Sequence, residues 1–480
     1  MRLVEENNMA DFKNKVVYQI YPKSFKDSNG DGIGDLRGVI DALDYLADMG
    51  VDYLWLTPFF VSPQKDNGYD IADYLAIDPH FGTMDDFDAL VKAADAKGLK
   101  IMLDMVLCHT SDQHAWFQRA LAGDADYQRY YILRDGRNKT CADDPGEPPT
   151  NWQCAFGGSA WQWEPRLGKW YLHLHDVSQP DLDWTNPTVR DELAKVVRFW
   201  KERGVAGFRF DVINLVAKPE VFADDTQGLG RRLFADGPHI HEYLQELVRN
   251  AGIGDMVTVG EMASTDLENC IHYTRPANHE LSMTFSFHHL KVDYKDGDKW
   301  ALMPPDMMRL KQLFAAWQTG MAKAGGKTEA EALTILAARS RDNGRTPMQW
   351  SAGPYAGFST KEPWIPLAKN HATIHVEAAQ KDEHSILAFY RRLIQLRHEM
   401  PIIAEGDIRF IEEDNPDVIA YERTWQGEQL TVLCNFRPTA VRLRHLSLQD
   451  FADAQKLLGN YPGREECLRP YEVLALYRRA

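Results

Sequence analysis

Long apolar runs are missing from this chain. No segment approaches the roughly 20 consecutive apolar residues that a helix needs to cross a bilayer. The opening residues, Met1 to Glu6, do not form the apolar core of a secretory signal peptide. We therefore expect a cytoplasmic protein with no membrane partner.

Paired cysteines and an excess of positive charge are missing as well. The six cysteines are scattered over 480 residues without a Cys-x-x-Cys pair, which indicates reduced thiols and not a disulfide framework. The net charge of −16 argues against nucleic acid or an anionic membrane as the main partner. A phosphorylated small molecule is still compatible with that charge, because local lysines can form a basic pocket. We expect a monomer that acts on a small molecule.

Strand-like and helix-like segments alternate through the first three hundred residues. Strands are predicted at 16–21, 53–56, 100–106, 207–212, 257–262 and 282–287. One intervening helix follows Thr83, a capping residue with Asp86 three positions later, and another starts at Asn186-Pro187. Six successive units predict an α/β fold, a (β/α)₈ TIM barrel in preference to a doubly wound sheet. We place this catalytic barrel at residues 10–109 and 184–400.

Two regions differ from this alternation. Residues 110–183 are rich in Trp, Tyr, Gly, Pro and Asp with little helical period, which predicts an inserted B domain after the third strand. Residues 401–480 contain a hairpin signal, Gln426-Gly427 between two apolar runs, and predict a C-terminal antiparallel β domain. The runs that favour strands there are 418–423, 430–433, 441–444 and 473–477.

Two carboxylates stand at the ends of predicted neighbouring strands. Asp211 closes the run Gly-Phe-Arg-Phe-Asp, Glu261 lies in Val-Gly-Glu-Met, and Asp104 falls at the same edge of the sheet. Such a pair can face one bond from opposite sides, as glycoside hydrolysis requires: one acid attacks or activates water, and the other protonates the leaving oxygen. Arg209, two residues before Asp211, would share its face and keep it ionised. The alternative is a pair of solvated loop acids.

Five sequence blocks carry a close resemblance to the α-amylase superfamily, glycoside hydrolase family 13. The blocks are 66–70, 104–109, 179–182, 207–211 and 260–262. Their order and spacing are very specific, and the resemblance extends over nearly the whole chain. It implies a retaining mechanism with Asp211 as nucleophile and Glu261 as general acid/base. It also implies that the substrate is held by Asp66, Tyr69, His109, Phe156, Gln179, Arg209 and Arg345.

Two further segments resemble a subgroup of that family. The Gln-Pro-Asp-Leu block at 179–182 is similar to that of the oligo-1,6-glucosidases, which favour short substrates with α-linked terminal glucose. Residues 282–294 resemble the members that cleave trehalose 6-phosphate to glucose and glucose 6-phosphate. Lys291 and Lys299 would then hold the phosphate dianion as point charges. The alternatives are two surface lysines and a hydrolase for isomaltose-type α-glucosides.

A glycine-rich loop at 27–35 alternates oxygen ligands with glycines. Its twelfth position is Gly38 and not Glu, so the loop is not an EF-hand. The alternation still suits one hard cation, and related glucosidases carry a calcium ion here. The expected ligands of a structural Ca²⁺ are Asp27, Asn29, Asp31, the Ile33 carbonyl and Asp35. The alternative is a turn with solvated acids, and no organic cofactor is expected.

Three positions depart from the family pattern. Cys108 stands where Asn is usual, and His175 stands where Phe is usual. The third departure is larger, because the Asn-His-Asp block of the seventh strand, which supplies the third catalytic carboxylate, does not occur in the chain. After a helix at about 305–320 the sequence passes directly to the loop-like segment 323–326 and on to 340–347. We therefore expect a barrel that lacks about two strands, through a true internal deletion or through a segment omitted from the sequence.

Three functions follow from these patterns. The first is a glycosidase for trehalose 6-phosphate whose activity is doubtful because the third acid is missing. The second is an oligo-1,6-glucosidase acting on short α-glucosides. The third, of another class, is a catalytically dead relative that serves as a binding or scaffold protein.

Overall fold

Sixteen strands and thirteen helices are found among the residues described by a computed structural model, which are 12–141, 144–292, 306–324, 344–463 and 465–479. The strands are β1 (Val17–Ile20), β2 (Tyr53–Leu56), β3 (Phe60–Val61), β4 (Asp73–Ile77), β5 (Lys100–Val106), β6 (Leu133–Arg134), β7 (Trp161–Glu164), β8 (Lys169–Leu172), β9 (Gly207–Asp211), β10 (Val257–Met262), β11 (Met283–Ser286), β12 (Asp407–Ile411), β13 (Val418–Trp425), β14 (Glu428–Asn435), β15 (Gln455–Gly459) and β16 (Val473–Arg479). The helices are α1 (Leu36–Asp41), α2 (Leu43–Met49), α3 (Met84–Asp95), α4 (Ala115–Leu121), α5 (Ala125–Gln128), α6 (Pro187–Glu202), α7 (Arg231–Phe234), α8 (Ile240–Ala251), α9 (Leu267–Tyr273), α10 (Met307–Ala324), α11 (Val376–Lys381), α12 (Ile386–Glu399) and α13 (Pro401–Glu405).

One parallel sheet carries the amino-terminal half of the molecule. Its order is β1-β2-β5-β9-β10-β11, and every neighbouring pair is parallel. These are the six strands that the sequence predicts. The central strands are the most deeply covered: every residue of β9 and every residue of β5 after Lys100 is buried, as expected for a parallel sheet with both faces covered. The parallel arrangement brings the carboxyl ends of all six strands to one edge.

The sheet does not close into a barrel within the described residues. There, β1 pairs only with β2 and β11 only with β10, so both are edge strands. Residues 306–324 and 344–400, as far as the structure describes them, form helices and turns and no strand. The prediction of an α/β barrel that lacks about two strands is therefore confirmed. The predicted passage from the helix at about 305–320 to the segment at 340–347 includes residues 325–343, which lie outside the described residues.

Two smaller sheets follow the other sequence signals. A three-stranded antiparallel sheet, β6-β8-β7, lies within 110–183, and a five-stranded antiparallel sheet, β12-β13-β14-β16-β15, spans 407–479. The hairpin of β13 and β14 turns at Gln426-Gly427 as predicted, with positive φ at both residues. The prediction of a strand at 441–444 is wrong: only Val441 forms an isolated bridge, to Leu468. The domain limits at 109, 183 and 400 stay predictions.

The helices around the parallel sheet are amphipathic. In α6 the side chains of Leu193, Val197 and Trp200 are buried while charged residues occupy the other face. The Trp200 ring packs edge-on against Phe87 of α3 at 5.0 Å between centroids, which fixes the two helices against each other. Such helices keep one polar face, and in the described part of the chain none is long and apolar enough to cross a membrane.

Candidate active site

The two acids singled out by the sequence lie on neighbouring parallel strands. Asp211 ends β9, and Glu261 lies near the end of β10, whose residues Val259 and Gly260 pair with Arg209 and Phe210. Both carboxylates are about nine-tenths buried. They therefore meet at the carboxyl edge of the sheet, where barrel enzymes place their chemistry.

One buried guanidinium joins these acids. Nη1 of Arg209 donates to Asp211 Oδ1 at 2.7 Å and to Asp104 Oδ1, and its Nη2 is in direct contact with Glu261 Oε2. Burial opposes the charged form of Arg209, but the charges of Asp104 and Asp211 outweigh it and raise the pKa of the guanidinium. The cation is thus permanent, and it holds three carboxylates within reach of one reacting centre.

Asp104 is the carboxylate furthest from solvent in this cluster. It accepts hydrogen bonds from Trp55 Nε1 at 3.1 Å and from the Tyr69 hydroxyl at 3.0 Å. Burial raises its pKa to about 6; Arg209 opposes that rise, whereas Asp211 adds to it. Asp104 holds the Arg209 guanidinium from the buried side of the cluster. The sequence indicates this role only by placing Asp104 on a predicted strand beside that of Asp211.

The backbone after each acid is held in a constrained geometry. Val212, which follows Asp211, has φ of 36°, an uncommon value for a β-branched residue and one that costs on the order of 1–3 kcal/mol. The side-chain amide of Asn214 donates to Ala263 O at 2.8 Å and accepts from Ala263 N at 2.9 Å. Asn214 therefore connects the turn after β9 to the turn after β10 by two hydrogen bonds, a contact that no sequence motif predicts.

Four residues predicted to hold the sugar form one connected group. Gln179 Nε2 lies 3.2 Å from Asp66 Oδ2 and 3.1 Å from His109 Nε2, which itself lies 3.1 Å from the Tyr69 carbonyl. Tyr69 joins the group to Asp104 through its hydroxyl. Burial raises the pKa of Tyr69 well above its usual range, and Asp104 adds to the rise, so the hydroxyl stays a donor. The structure thus brings Asp66, Tyr69, His109 and Gln179 together beside the carboxylates.

His175 and Cys108, two of the three departures from the family pattern, both lie in this region. The His175 ring sits 4.9 Å from the His109 ring and 6.2 Å from that of Phe156, which is half exposed. Burial, reinforced by His109, lowers the pKa of His175 to about 4 and keeps it neutral. An uncharged ring therefore occupies the position where the family uses Phe.

Asp181, in the block that resembles oligo-1,6-glucosidases, faces the interior. It accepts hydrogen bonds from Lys218 Nζ at 2.9 Å, Cys108 Sγ at 3.2 Å and Leu174 N at 2.7 Å. Burial opposes its ionisation, but Lys218 outweighs this and lowers the pKa of Asp181. The aspartate of this block is a structural anchor, and Cys108 is one of its donors.

Arg345 and the two phosphate candidates lie on other segments. The Arg345 guanidinium lies over the Tyr21 ring, 5.6 Å from its centroid, just beyond β1. Lys291 ends the turn His288–Lys291 that follows β11, at the same edge of the sheet as Asp211 and Glu261. Desolvation lowers the pKa of Lys291, and the cations Arg231 and Arg309 lower it further. Lys299 lies outside the described residues.

In the loop at 27–35, the side-chain oxygens of the predicted ligands accept hydrogen bonds from nearby backbone amides. Asp27 accepts four hydrogen bonds, three from amides of the loop and one from the Ser359 hydroxyl at 2.6 Å. Asn29 and Asp31 each accept one, from Asp31 N and Ile33 N. Asp35 accepts from Gly38 N and from Ser28, and so caps α1. Carboxylate and amide oxygens are the ligand types that a hard cation prefers; those of Asn29 and Asp31 accept the fewest hydrogen bonds here and those of Asp27 the most.

Comparison with protein families gives two matches. The family described as "Alpha amylase, catalytic domain" matches residues 19–328 and 321–406, and "Maltogenic Amylase, C-terminal domain" matches residues 408–463. The first match comes in two pieces, which overlap at residues 321–328. The family match is thus divided just after the predicted helix at about 305–320, where the family has two further barrel strands that the sequence lacks.

Comparison with individual proteins gives close relatives. The chain is 44% identical to trehalose-6-phosphate hydrolase of Escherichia coli (strain K12) over 504 residues, covering 88% of this chain and 90% of that protein. It is 36% identical to oligo-1,6-glucosidase of Parageobacillus thermoglucosidasius over 556 residues, covering 96% and 98%. The crystal structure of a Bacillus licheniformis trehalose-6-phosphate hydrolase mutant superposes with a TM-score of 0.91 at 38% identity, covering 98% and 100%. Both sequence alignments are longer than this chain, so both relatives contain residues without a counterpart here.

Proposed function

Because the chain belongs to the α-amylase family of glycoside hydrolases, we propose that it cleaves trehalose 6-phosphate to glucose and glucose 6-phosphate, slowly and with retention of configuration. The supporting observation is the pair Asp211 and Glu261, which end neighbouring strands and meet one guanidinium. Retaining enzymes hold their two carboxyl groups about 5–5.5 Å apart, and acids that share a guanidinium are close enough for that.

The roles divide between the two acids. Asp211 attacks the anomeric carbon, and the bond to the leaving oxygen breaks as Glu261 gives that oxygen a proton. Glu261 then takes a proton from water, which cleaves the glycosyl ester and regenerates Asp211. Arg209 keeps Asp211 ionised during attack. Asp66, His109 and Gln179 hold the hydroxyl groups of the sugar that becomes attached.

The phosphate is proposed to bind at the turn after β11. Lys291, Arg231 and Arg309 repel one another there, since two of these cations lower the pKa of the third. A dianion placed between them would relieve that repulsion and accept charge-assisted hydrogen bonds. Lys299 is proposed to join them.

Substrate comparison tests the phosphate assignment. Lys291→Ala should reduce kcat/KM for trehalose 6-phosphate by about 10- to 100-fold, because one charged hydrogen bond is worth about 1.5–3 kcal/mol. The same variant should leave hydrolysis of an unphosphorylated aryl α-glucoside nearly unchanged. Lys195→Ala, on the exposed face of α6, is the matched control. Equal losses on both substrates, or a preference of the unchanged chain for isomaltose, would favour the oligo-1,6-glucosidase function instead.

A calcium ion is proposed for the loop at 27–35, with Asp27, Asn29, Asp31, Asp35 and the Ile33 carbonyl as ligands. Its contribution would be structural, since the loop packs on residues 358–364 and carries no reacting group. Removal of calcium with a chelator should lower Tm, and readdition should restore it. A Tm that is insensitive to both steps would show that the loop is a turn without a cation. We propose a cytoplasmic location, which is supported by the finding that none of the six cysteines forms a disulfide.

A further inference from the structure

Two histidines and a buried glutamate converge outside the active site. His241 lies in the first turn of α8, His272 in the last turn of α9, and Glu280 in the segment that leads into β11. Their ligand atoms all lie within 4.8 Å of one another. None of the three is among the groups that hold Arg209, Asp211 or Glu261.

The separations among these atoms match a tetrahedral metal site. His241 Nδ1 lies 2.8 Å from Glu280 Oε2 and 3.1 Å from His272 Nδ1, and His272 Nδ1 lies 3.9 Å from Glu280 Oε1. Zinc binds imidazole and carboxylate at about 2.0–2.1 Å with tetrahedral angles, which puts ligand atoms about 3.3–3.4 Å apart. The observed separations lie on both sides of that value, so small side-chain adjustments would bring all three atoms onto one ion.

Glu280 gives an independent reason to expect a cation. Its side chain is fully buried, and its contacts in the described part of the chain are the two imidazoles and the Gln245 amide, 3.3 Å away. A buried carboxylate is costly without a positive partner, and neither lysine nor arginine is among these contacts.

Neighbouring amides hold the proposed ligands in place. Asn278 Nδ2 donates to the His272 carbonyl at 2.8 Å and lies 3.2 Å from His272 Nδ1, while Gln245 donates to Glu280. The His241 and His272 rings approach to 3.9 Å between centroids. Contacts of this kind orient ligand side chains before a metal arrives.

We propose that His241, His272 and Glu280 bind one divalent transition-metal ion of the zinc type, with water in the fourth position. The ion would link α8 and α9 to the segment before β11. Because β11 is the last strand of the parallel sheet in the described part of the chain, such a link would stabilise that end of the sheet.

Zinc titration of the tag-free chain tests this proposal. We expect one Zn²⁺ per chain by calorimetry and by metal analysis after dialysis, a rise in Tm on addition of zinc, and a tetrahedral absorption spectrum with Co²⁺. His272→Ala and the milder Glu280→Gln should each weaken zinc affinity by at least about tenfold, and circular dichroism should show that they remain folded. His239→Ala is the matched control, because His239 is an exposed histidine at the start of the same helix.

Two results would overturn the proposal. One is the absence of stoichiometric zinc binding to the unchanged chain. The other is zinc binding that persists equally in the His272, Glu280 and His239 variants, which would place the ion elsewhere, for example on free cysteines. Neither result depends on sugar hydrolysis, so the proposed function would stand or fall separately.

Discussion

Arg209 organises the active site at the scale of single residues. Its guanidinium faces Asp104, Asp211 and Glu261 and lies 5.2 Å from the centre of the Trp55 ring. In the mechanism that we propose, Glu261 protonates the leaving oxygen, so its contact with this cation has to break during the reaction.

The lowered pKa of His114 implies that the stability of the folded chain depends on pH. His114 is buried and caps α4 by accepting a hydrogen bond from Trp116 N at 3.1 Å, and burial lowers its pKa to about 4 from 6.5. Between these values the unfolded chain binds the proton and the folded chain does not. The stability from neutral His114 is therefore present above pH 6.5 and is lost as pH falls towards 4. From pH 7 to pH 5 the loss is about 2 kcal/mol for this group.

The variant His114→Asn separates titration from capping, since Asn is also a good capping residue. Relative to the unchanged chain, its free energy of unfolding should rise by about 2 kcal/mol between pH 7 and pH 5, measured by urea denaturation at both pH values. His384→Asn, at an exposed position, should show no such change. If the His114 variant and the unchanged chain respond identically to pH, His114 does not titrate as described.

The sequence reveals those active-site residues that stand at strand ends or in family blocks. Asp211 and Glu261 were predictable because apolar runs mark buried strands and the acid follows the run. Asn214, Lys218 and Trp55 were not, because their contacts join segments far apart in the chain. His241, His272 and Glu280 are separated by 31 and 8 positions, a spacing that matches no metal motif and becomes a cluster only when α8 and α9 pack.

At the scale of elements, α10 docks on the C-terminal sheet through one buried lysine. Lys311 Nζ donates to the carbonyls of Asn415 at 3.1 Å, Val418 at 2.9 Å and Glu412. Desolvation lowers its pKa, but nearby Glu412 and Asp414 oppose that fall. The helix next to the interruption is thereby fixed to the start of β13.

Removal of this lysine should be costly. Lys311→Met leaves three buried carbonyls without their donor, at about 1–3 kcal/mol for each unsatisfied group, and should lower Tm by several degrees in differential scanning calorimetry. Lys195→Met, which removes an exposed lysine paired with Glu192, should change Tm little. Equal Tm values for the two variants would mean that α10 does not depend on this contact.

The sequence predicts all six strands of the parallel sheet but only three of the five strands of the C-terminal sheet. The parallel strands are short, predominantly apolar or aromatic runs separated by helical patterns, so their positions follow from composition and spacing. In the C-terminal sheet β12 and β15 carry mixed residues and were missed, whereas the alternating run at 441–444 forms only one bridge. Alternating apolar and polar residues show that a segment is compatible with a β-strand. Whether it joins a sheet depends on whether a neighbouring strand is available to hydrogen-bond with it.

At the scale of the whole molecule, the chain is an α-amylase family enzyme with an interrupted barrel. The sheet ends at β11 in the described residues, the family match breaks at 321–328, and the Asn-His-Asp block does not occur in the sequence. The loss removes a carboxylate that, in this family, stabilises the oxocarbenium-like transition state, a contribution of several kcal/mol. A chain that binds the sugar without cleaving it would serve as a binding protein.

The rate of trehalose 6-phosphate hydrolysis tests this account most directly. The purified chain, with an intact mass of 54.8 kDa confirmed by mass spectrometry, should be compared with a version into which the corresponding segment of the Escherichia coli relative has been inserted. We predict that kcat of the unchanged chain is lower by at least about 100-fold, and that Asp211→Asn abolishes what remains. Equal rates for the two forms, at the confirmed mass, would contradict the claim that the interruption disables the site.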